Sequence, residues 1–208
     1  MMTGRGVIAV LLAGGRARRM GGGDKALIDV AGHPMLERVI ARARPQADHL
    51  VLNANGDPGR FAAFGLPVIS DPVEGFAGPL AGILAALQWA ADTHPACHWV
   101  VSIATDTPFF PADMIARMLA AVKDDRADMA CARSAGRSHP VFGLWPVALG
   151  RDLAHALIEE DIRKIDRWTA RYRVAPVSFA CGDIDPFFNI NTPEDVAIAE
   201  RHLKKAAA

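Results

Sequence analysis

Val7-Ile8-Ala9-Val10-Leu11-Leu12 runs directly into Ala13-Gly14-Gly15-Arg16-Ala17-Arg18-Arg19-Met20-Gly21-Gly22-Gly23-Asp24-Lys25, and this junction decides the fold class. The six apolar residues read as a buried strand, and the segment that follows packs four cations, Arg16, Arg18, Arg19 and Lys25, among five glycines. Glycine has no Cβ, so backbone N–H groups can approach an anion closely, while the cations neutralise charge. The segment reads as a phosphate cradle at the C-terminal end of a strand, where open α/β sheets bind ligands. Its spacing is neither the dinucleotide Gly-x-Gly-x-x-Gly nor a P-loop, since Lys25 is followed by Ala26 rather than Ser or Thr.

The rest of the composition makes that cluster stand out. Lys plus Arg equal Asp plus Glu at 23 each over 208 residues, so no global field exists to hold nucleic acid or an anionic membrane, and any anion site must be local. With 51% hydrophobic residues the chain can bury a full core, and its length favours one domain over residues 1–208. Arg5 and the apolar run after it are too short and too quickly broken by glycines and arginines for a secretory leader. No stretch reaches the roughly 18 apolar residues of a membrane span, so a cytoplasmic protein is expected. Cys97, Cys131 and Cys181 lie far apart and are expected to be buried thiols in a reducing compartment.

Working outward from the first strand, short apolar runs alternate with helical patterns. Strands are expected at His49–Ala54, Leu66–Ser70 and Trp99–Ala104, and helices at Pro34–Arg44, from Pro79 onward with Gly78 as cap, and from Pro111 to about Lys123. After residue 127 two strands, Met129–Arg133 and Pro140–Trp145, flank the polar turn 134–138 and suggest an antiparallel excursion. Helices at Pro146–Ile158 and Ile162–Tyr172 and a strand at Arg173–Phe179 follow. Thr192, Pro193 and Asp195 then mark the cap, first and third positions of a last helix. The expected architecture is α/β: a Rossmann-like three-layer sandwich on a mostly parallel sheet.

Several polar residues fall at one predicted sheet edge. Asp106 ends the strand Trp99–Ala104 and offers a hard oxygen suited to Mg²⁺; taken alone it would read as a turn-forming aspartate. Asn53 and Asp71 offer the donors and acceptors that read a base edge, or else serve as turn and cap residues. Asn189 and Asn191, two apart in an extended segment, point the same way and suit a metal or an acceptor substrate, or cap the last helix. The seven histidines are not read as a zinc site, and His139 is read as a turn residue beside Pro140, with lining of the substrate as its second reading. No Gly-x-Ser-x-Gly elbow is present, and no Ser-His-Asp set stands out in the sequence.

Together these residues resemble the molybdenum cofactor guanylyltransferases, within the wider nucleotide-diphospho-sugar transferase-like fold. The resemblance covers nearly the whole chain. It rests on Leu12-Ala13-Gly14-Gly15 with Arg19-Met20-Gly21-Gly22 and Asp24-Lys25, on Asn53, and on Asp71 followed by Gly78-Pro79-Leu80-Ala81-Gly82. Thr105-Asp106-Thr107-Pro108, His139-Pro140 and Asn189-Ile190-Asn191-Thr192-Pro193 complete it. The related cytidylyltransferases carry Leu-Ala-Ala-Gly where this chain has Leu12-Ala13-Gly14-Gly15.

The resemblance implies transfer of GMP from GTP to the terminal phosphate of molybdenum-molybdopterin, with release of pyrophosphate. It implies a nucleotide site of Leu12, Ala13, Gly14, Gly15, Lys25, Asn53, Asp71 and Asp106, with Mg²⁺ or Mn²⁺ on Asp106. Arg19, Lys25 and Asp106 are the expected catalytic residues and Asn191 the expected acceptor contact. Its partners are GTP and a molybdopterin-type acceptor, with transient contacts to molybdenum enzymes or cofactor-biosynthesis proteins. The competing reading is a same-fold enzyme using CTP or a sugar-phosphate acceptor; from another class, a nucleotide sensor that does no chemistry or an adaptor that binds molybdenum enzymes.

Overall fold

The computed structural model describes residues 6–14, 23–73 and 78–206. Its strands are β1 (Val7–Leu12), β2 (Asp29–Val30), β3 (His33–Pro34), β4 (His49–Asn53), β5 (Val68–Ile69), β6 (Trp99–Ala104), β7 (Met129–Ser134), β8 (Arg137–Pro146) and β9 (Val174–Phe179). The helices are α1 (Met35–Ala43), α2 (Pro79–Thr93), α3 (Met114–Asp124), α4 (Gly150–Ile158), α5 (Ile165–Thr169) and α6 (Pro193–Ala206).

Seven strands form one sheet in the order β5-β4-β1-β6-β8-β7-β9. Only β8 runs against its neighbours; β4, β5, β1 and β6 are mutually parallel and β9 is parallel to β7. Alternate residues of β1 enter different layers, as the period of two requires. Ile8 and Val10 pack with Leu80, Ile83 and Leu84 of α2 and Leu153 of α4. Val7, Ala9 and Leu11 pack with Leu36 and Val39 of α1 and Met114 and Met118 of α3. The result is the expected three-layer sandwich with a mostly parallel sheet.

The register is what matters for the site. Leu12 pairs with both Asn53 and Ala104, so β1, β4 and β6 end in one row and their following loops leave from the same edge. At that edge β8 departs from regular pairing: the partner of Cys131 is Gly143, but that of Ala132 is His139. Pro140–Phe142 therefore bulge from the ladder, as strands often do beside a binding site.

The elements correct the expectations in several places. The hairpin of β2 and β3 is new: two residues a side, turning through Ala31 and Gly32 at φ 54° and 80°, too short to show as a periodic run. Helix α1 starts at Met35, because Pro34 belongs to that hairpin. β4 stops at Asn53, and β5 has only two residues, Val68–Ile69. β8 begins at Arg137, so the turn shrinks to Ala135-Gly136, both at positive φ (45° and 74°), which matches the twist of a tight hairpin.

Helix α3 opens at Met114 rather than Pro111. Pro146 ends β8 opposite Trp99, with a 3₁₀ turn before α4. Only Ile165–Thr169 of the expected 162–172 helix is helical. The last helix is capped as expected: Asp195 N donates to Thr192 Oγ1 (3.2 Å) and Thr192 N to Asp195 Oδ2 (2.9 Å), a reciprocal capping box.

Candidate active site

Asp106 follows β6 directly, and its carboxylate emerges beside the end of β1 because Thr105 ties the two strands: its hydroxyl donates to Leu12 O at 3.0 Å. Lys25 begins a 3₁₀ turn and reaches across to it, with Nζ 2.5 Å from Asp106 Oδ2. The same ammonium donates to Asn191 Oδ1. That asparagine is delivered by a segment whose Ile190 N–H donates to Asp106 O at 2.9 Å. Thr107 lies between the two chains, donating to Asn189 Oδ1 (2.5 Å) and standing 3.1 Å from Asp106 Oδ1.

The second half of the site is built on β4. Asn53 is buried at 6% exposure, and its Nδ2 donates to Asp71 Oδ1 at 3.0 Å. The backbone there is fixed by Ala13 N donating to Asn53 O and Ala54 N to Ile69 O, both at 2.9 Å. Helix α2 approaches so closely that a Cβ on Gly82 would stand 2.3 Å from Asn53 Oδ1 and 2.7 Å from Leu12 Cδ2. Gly82 is therefore a packing requirement of the site.

These pieces enclose a cleft of about 480 Å³ lined by Leu12, Gly14, Lys25, Asn53, Asp71 and Asp106, together with Asn55, Gly78, Pro79, Ala104, Thr105 and Val141. The expected residues Leu12, Gly14, Lys25, Asn53, Asp71 and Asp106 are thus brought together, with Asn191 joined through Lys25. Ala13 does not line the cleft: its side chain is buried at 3% exposure, and it contributes its backbone bond to Asn53. Gly15 and Arg19 lie outside the described residues. A slightly larger cleft of about 530 Å³ lies between α1, residues 108–112 and Leu203 of α6. Its arginines bind backbone: Arg38 donates to Val30 O and Ala31 O, and Arg42 to Phe110 O.

Asn55 and Arg60 were not singled out from sequence. Asn55 contacts Asp71 twice, and Arg60 pairs with Asp24 at 2.7 Å while donating to Asn55 O at 2.6 Å. The available signal is the spacing: Asn53 and Asn55 are two apart at a strand end, the same pattern as Asn189 and Asn191.

His139 is in β8 rather than a turn. It lies 2.6 Å from Ser134 Oγ, which donates to Asp185 Oδ1 at 2.7 Å, and it stacks on Phe187. Burial pushes its imidazole below the usual range, against the opposing pull of Asp185. Histidine pairing with a carboxylate does occur, at His33–Glu37 one helical turn apart (3.2 Å), but exposed on the surface. The cysteines do not share one environment: Cys97 is buried, Cys131 partly so with its thiol pushed up to about 11 by burial, and Cys181 is exposed.

Among the described residues no group of three His, Cys, Asp or Glu side chains converges as a metal cage. The oxygens of Asp106 and Asn191 nevertheless share one cation, the Lys25 ammonium. A single carboxylate completed by substrate oxygens suits Mg²⁺ or Mn²⁺.

The model of the MobA-like NTP transferase domain matches residues 9–174. The chain belongs to the MobA-like NTP transferase family. Among its relatives are proteins named molybdenum cofactor guanylyltransferase. That of Rhodopseudomonas palustris (strain BisB5) is 60% identical over 193 residues, covering 93% of this chain and 92% of the relative. That of Nitrobacter hamburgensis is 58% identical over 192 residues, covering 92% of each. The solved structure of molybdopterin-guanine dinucleotide biosynthesis protein A from Archaeoglobus fulgidus superposes with a TM-score of 0.73 at 24% identity, over 95% of this chain and 99% of that one. It shares the fold. The MobA-like match contains Leu12, Gly14, Lys25, Asn53, Asp71 and Asp106 and ends before Asn191. Among the described residues no helix is long and apolar enough to cross a membrane.

Proposed function

We propose that this protein transfers GMP from GTP to the terminal phosphate of a molybdopterin-type acceptor, the molybdenum cofactor, and that residues 1–208 act as one cytoplasmic nucleotidyltransferase domain. The observation that carries the reading is the convergence of Lys25, Asp106, Asn53 and Asp71 on one cleft at the row Leu12–Asn53–Ala104. The guanylyltransferase name borne by relatives at 58–60% identity supports GTP over the CTP reading.

In this reading the base lies against Leu12–Gly14, Asn53 and Asp71. Lys25 binds phosphates, with Gly15 and Arg19 of the glycine-rich segment. Asn191 serves the acceptor. Asp106, with Asn191 beside it, would hold Mg²⁺ or Mn²⁺, which supplies neutralising charge to the triphosphate when bound.

An oxygen of the acceptor phosphate attacks the α-phosphorus of GTP. The bond from that phosphorus to the bridging oxygen breaks, and pyrophosphate leaves with the electron pair. A phosphate monoester has its second pKa near about 6, so the nucleophile is largely deprotonated at neutral pH and no strong base is needed. Repulsion between two polyanions is the obstacle, and fixed positive charge answers it. Lys25, 12% exposed and held by two oxygens, has little freedom to lose on binding.

Asp106→Ala tests the reading. GMP transfer should fall by about 10²–10³, the usual cost of one preorganised charge-stabilising group, with an unchanged far-UV circular dichroism spectrum. Transfer at near wild-type rate contradicts it.

A further inference from the structure

Asn55 lies two residues beyond the end of β4 on the wall of the cleft, and both ends of its side-chain amide are spent on Asp71. Oδ1 accepts the Asp71 backbone N–H at 2.9 Å, and Nδ2 donates to Asp71 Oδ2 at 2.7 Å. The backbone contact fixes the amide orientation, because an N–H needs an acceptor. The other carboxylate oxygen receives Asn53 Nδ2 at 3.0 Å. One amide on each oxygen fixes the plane of the carboxylate, and each oxygen keeps a further lone pair.

The support continues behind Asn55. Arg60 donates to Asn55 O at 2.6 Å and to Asp57 O at 3.0 Å, and its guanidinium pairs with Asp24 next to Lys25. The Asn55 backbone is therefore anchored to the turn that carries the phosphate-binding lysine.

A carboxylate held in this way presents two adjacent acceptors. Of the four common bases only guanine places two adjacent N–H donors, N1–H and the N2 amino group, on its pairing edge. Adenine and cytosine place a donor beside an acceptor, and uracil has one donor between two acceptors. With Asn53 alone the carboxylate could turn about its broad terminal torsion, and the acceptor pair would lose its direction.

We propose that Asn55 is a specificity-determining positioning residue: by gripping the backbone and the carboxylate of Asp71 together, it sets the acceptor pair that selects guanine. The proposal rests on the reading of this cleft as a guanine-nucleotide site.

Binding of GTP and of inosine triphosphate, which lacks only the N2 amino group, to the full-length wild type, N55A and N55D tests it. The wild type should favour GTP by about tenfold or more, the worth of one hydrogen bond to a charged acceptor. In N55A that ratio should fall towards one with the melting temperature within about 2 °C of wild type, because the residue is exposed. N55D keeps the acceptor for the backbone N–H but sets a second negative charge against Asp71. Its GTP preference should fall as well, which supplies the readout if N55A is poorly folded. Retention of the wild-type ratio in both variants overturns the role of Asn55 while leaving the guanine reading intact. Equal binding of the two nucleotides by the wild type overturns guanine selection by Asp71 itself, and the proposal with it.

Discussion

Asp152 shows how one residue sets a condition on the whole fold. It accepts Trp168 Nε1–H at 2.8 Å and the Tyr172 hydroxyl, and Arg171 lies 3.8 Å away, so α4 is joined to α5 and to the residues just beyond it. Burial alone would raise its pKa, but the two hydrogen bonds and the charges of Arg171 and His155 together hold it below 3.8. A carboxyl whose folded pKa lies under its unfolded one stabilises the fold above the unfolded pKa, and that contribution disappears as pH falls through the folded value. Asp152→Asn should therefore lower stability at pH 7 and make the loss of stability below about pH 4 shallower than in wild type. Urea unfolding at several pH values checks this. Because Asp152 is 36% exposed, solvent screening keeps the effect modest. Identical pH slopes in the two proteins would refute the assignment.

At the scale of elements, helix α2 and the strand ends behave as one unit. Gly82 faces Asn53 and Leu12 at distances that admit no Cβ, and Asn53 cannot give way without releasing Asp71. Gly82→Ala should cost about 1–3 kcal/mol of stability, as overpacking of a close contact does. It should also weaken GTP binding at least about tenfold; calorimetry and denaturant titration read the two effects. Unchanged affinity would mean that α2 does not set the base-side wall.

Elements with long apolar runs were legible in advance. Val7–Leu12, His49–Asn53 and Trp99–Ala104 declare themselves, and so does the row of polar residues at their ends. The Asp29–Pro34 hairpin was not legible, because two residues a strand carry no periodicity and its turn is fixed by Arg38 reaching back to Val30 O and Ala31 O. One helix is expected over residues 162–172, but Trp168 and Tyr172 are held by contacts that do not require helix throughout: both bind Asp152, from a short helix and the residues past it. The Asn53–Asn55 spacing marks a candidate but not its partner: the contact with Asp71 depends on the pairing of β4 with β5, and Arg60 reaches Asp24 from far along the chain. That is long-range information a local pattern does not contain.

For the whole molecule, a chain with balanced charge directs its cations locally. The strands β1, β4 and β6 end in register; in the proposed reading Asp106 after β6 would hold the metal, Lys25 after β1 the phosphates, and Asn53 at the end of β4 with Asp71 after β5 the base. The chain's membership in the MobA-like NTP transferases rests on residues 9–174, which carry all of these positions. The most direct measurement is pyrophosphate release by the wild-type protein with Mg²⁺, a molybdopterin-type acceptor, and GTP, CTP, UTP or ATP in turn. Release with GTP, dependent on both acceptor and metal and at least about a hundredfold slower with the other three, is the expected result. Comparable release with CTP, or tight GTP binding without any pyrophosphate in the presence of acceptor, would contradict the proposed guanylyl transfer.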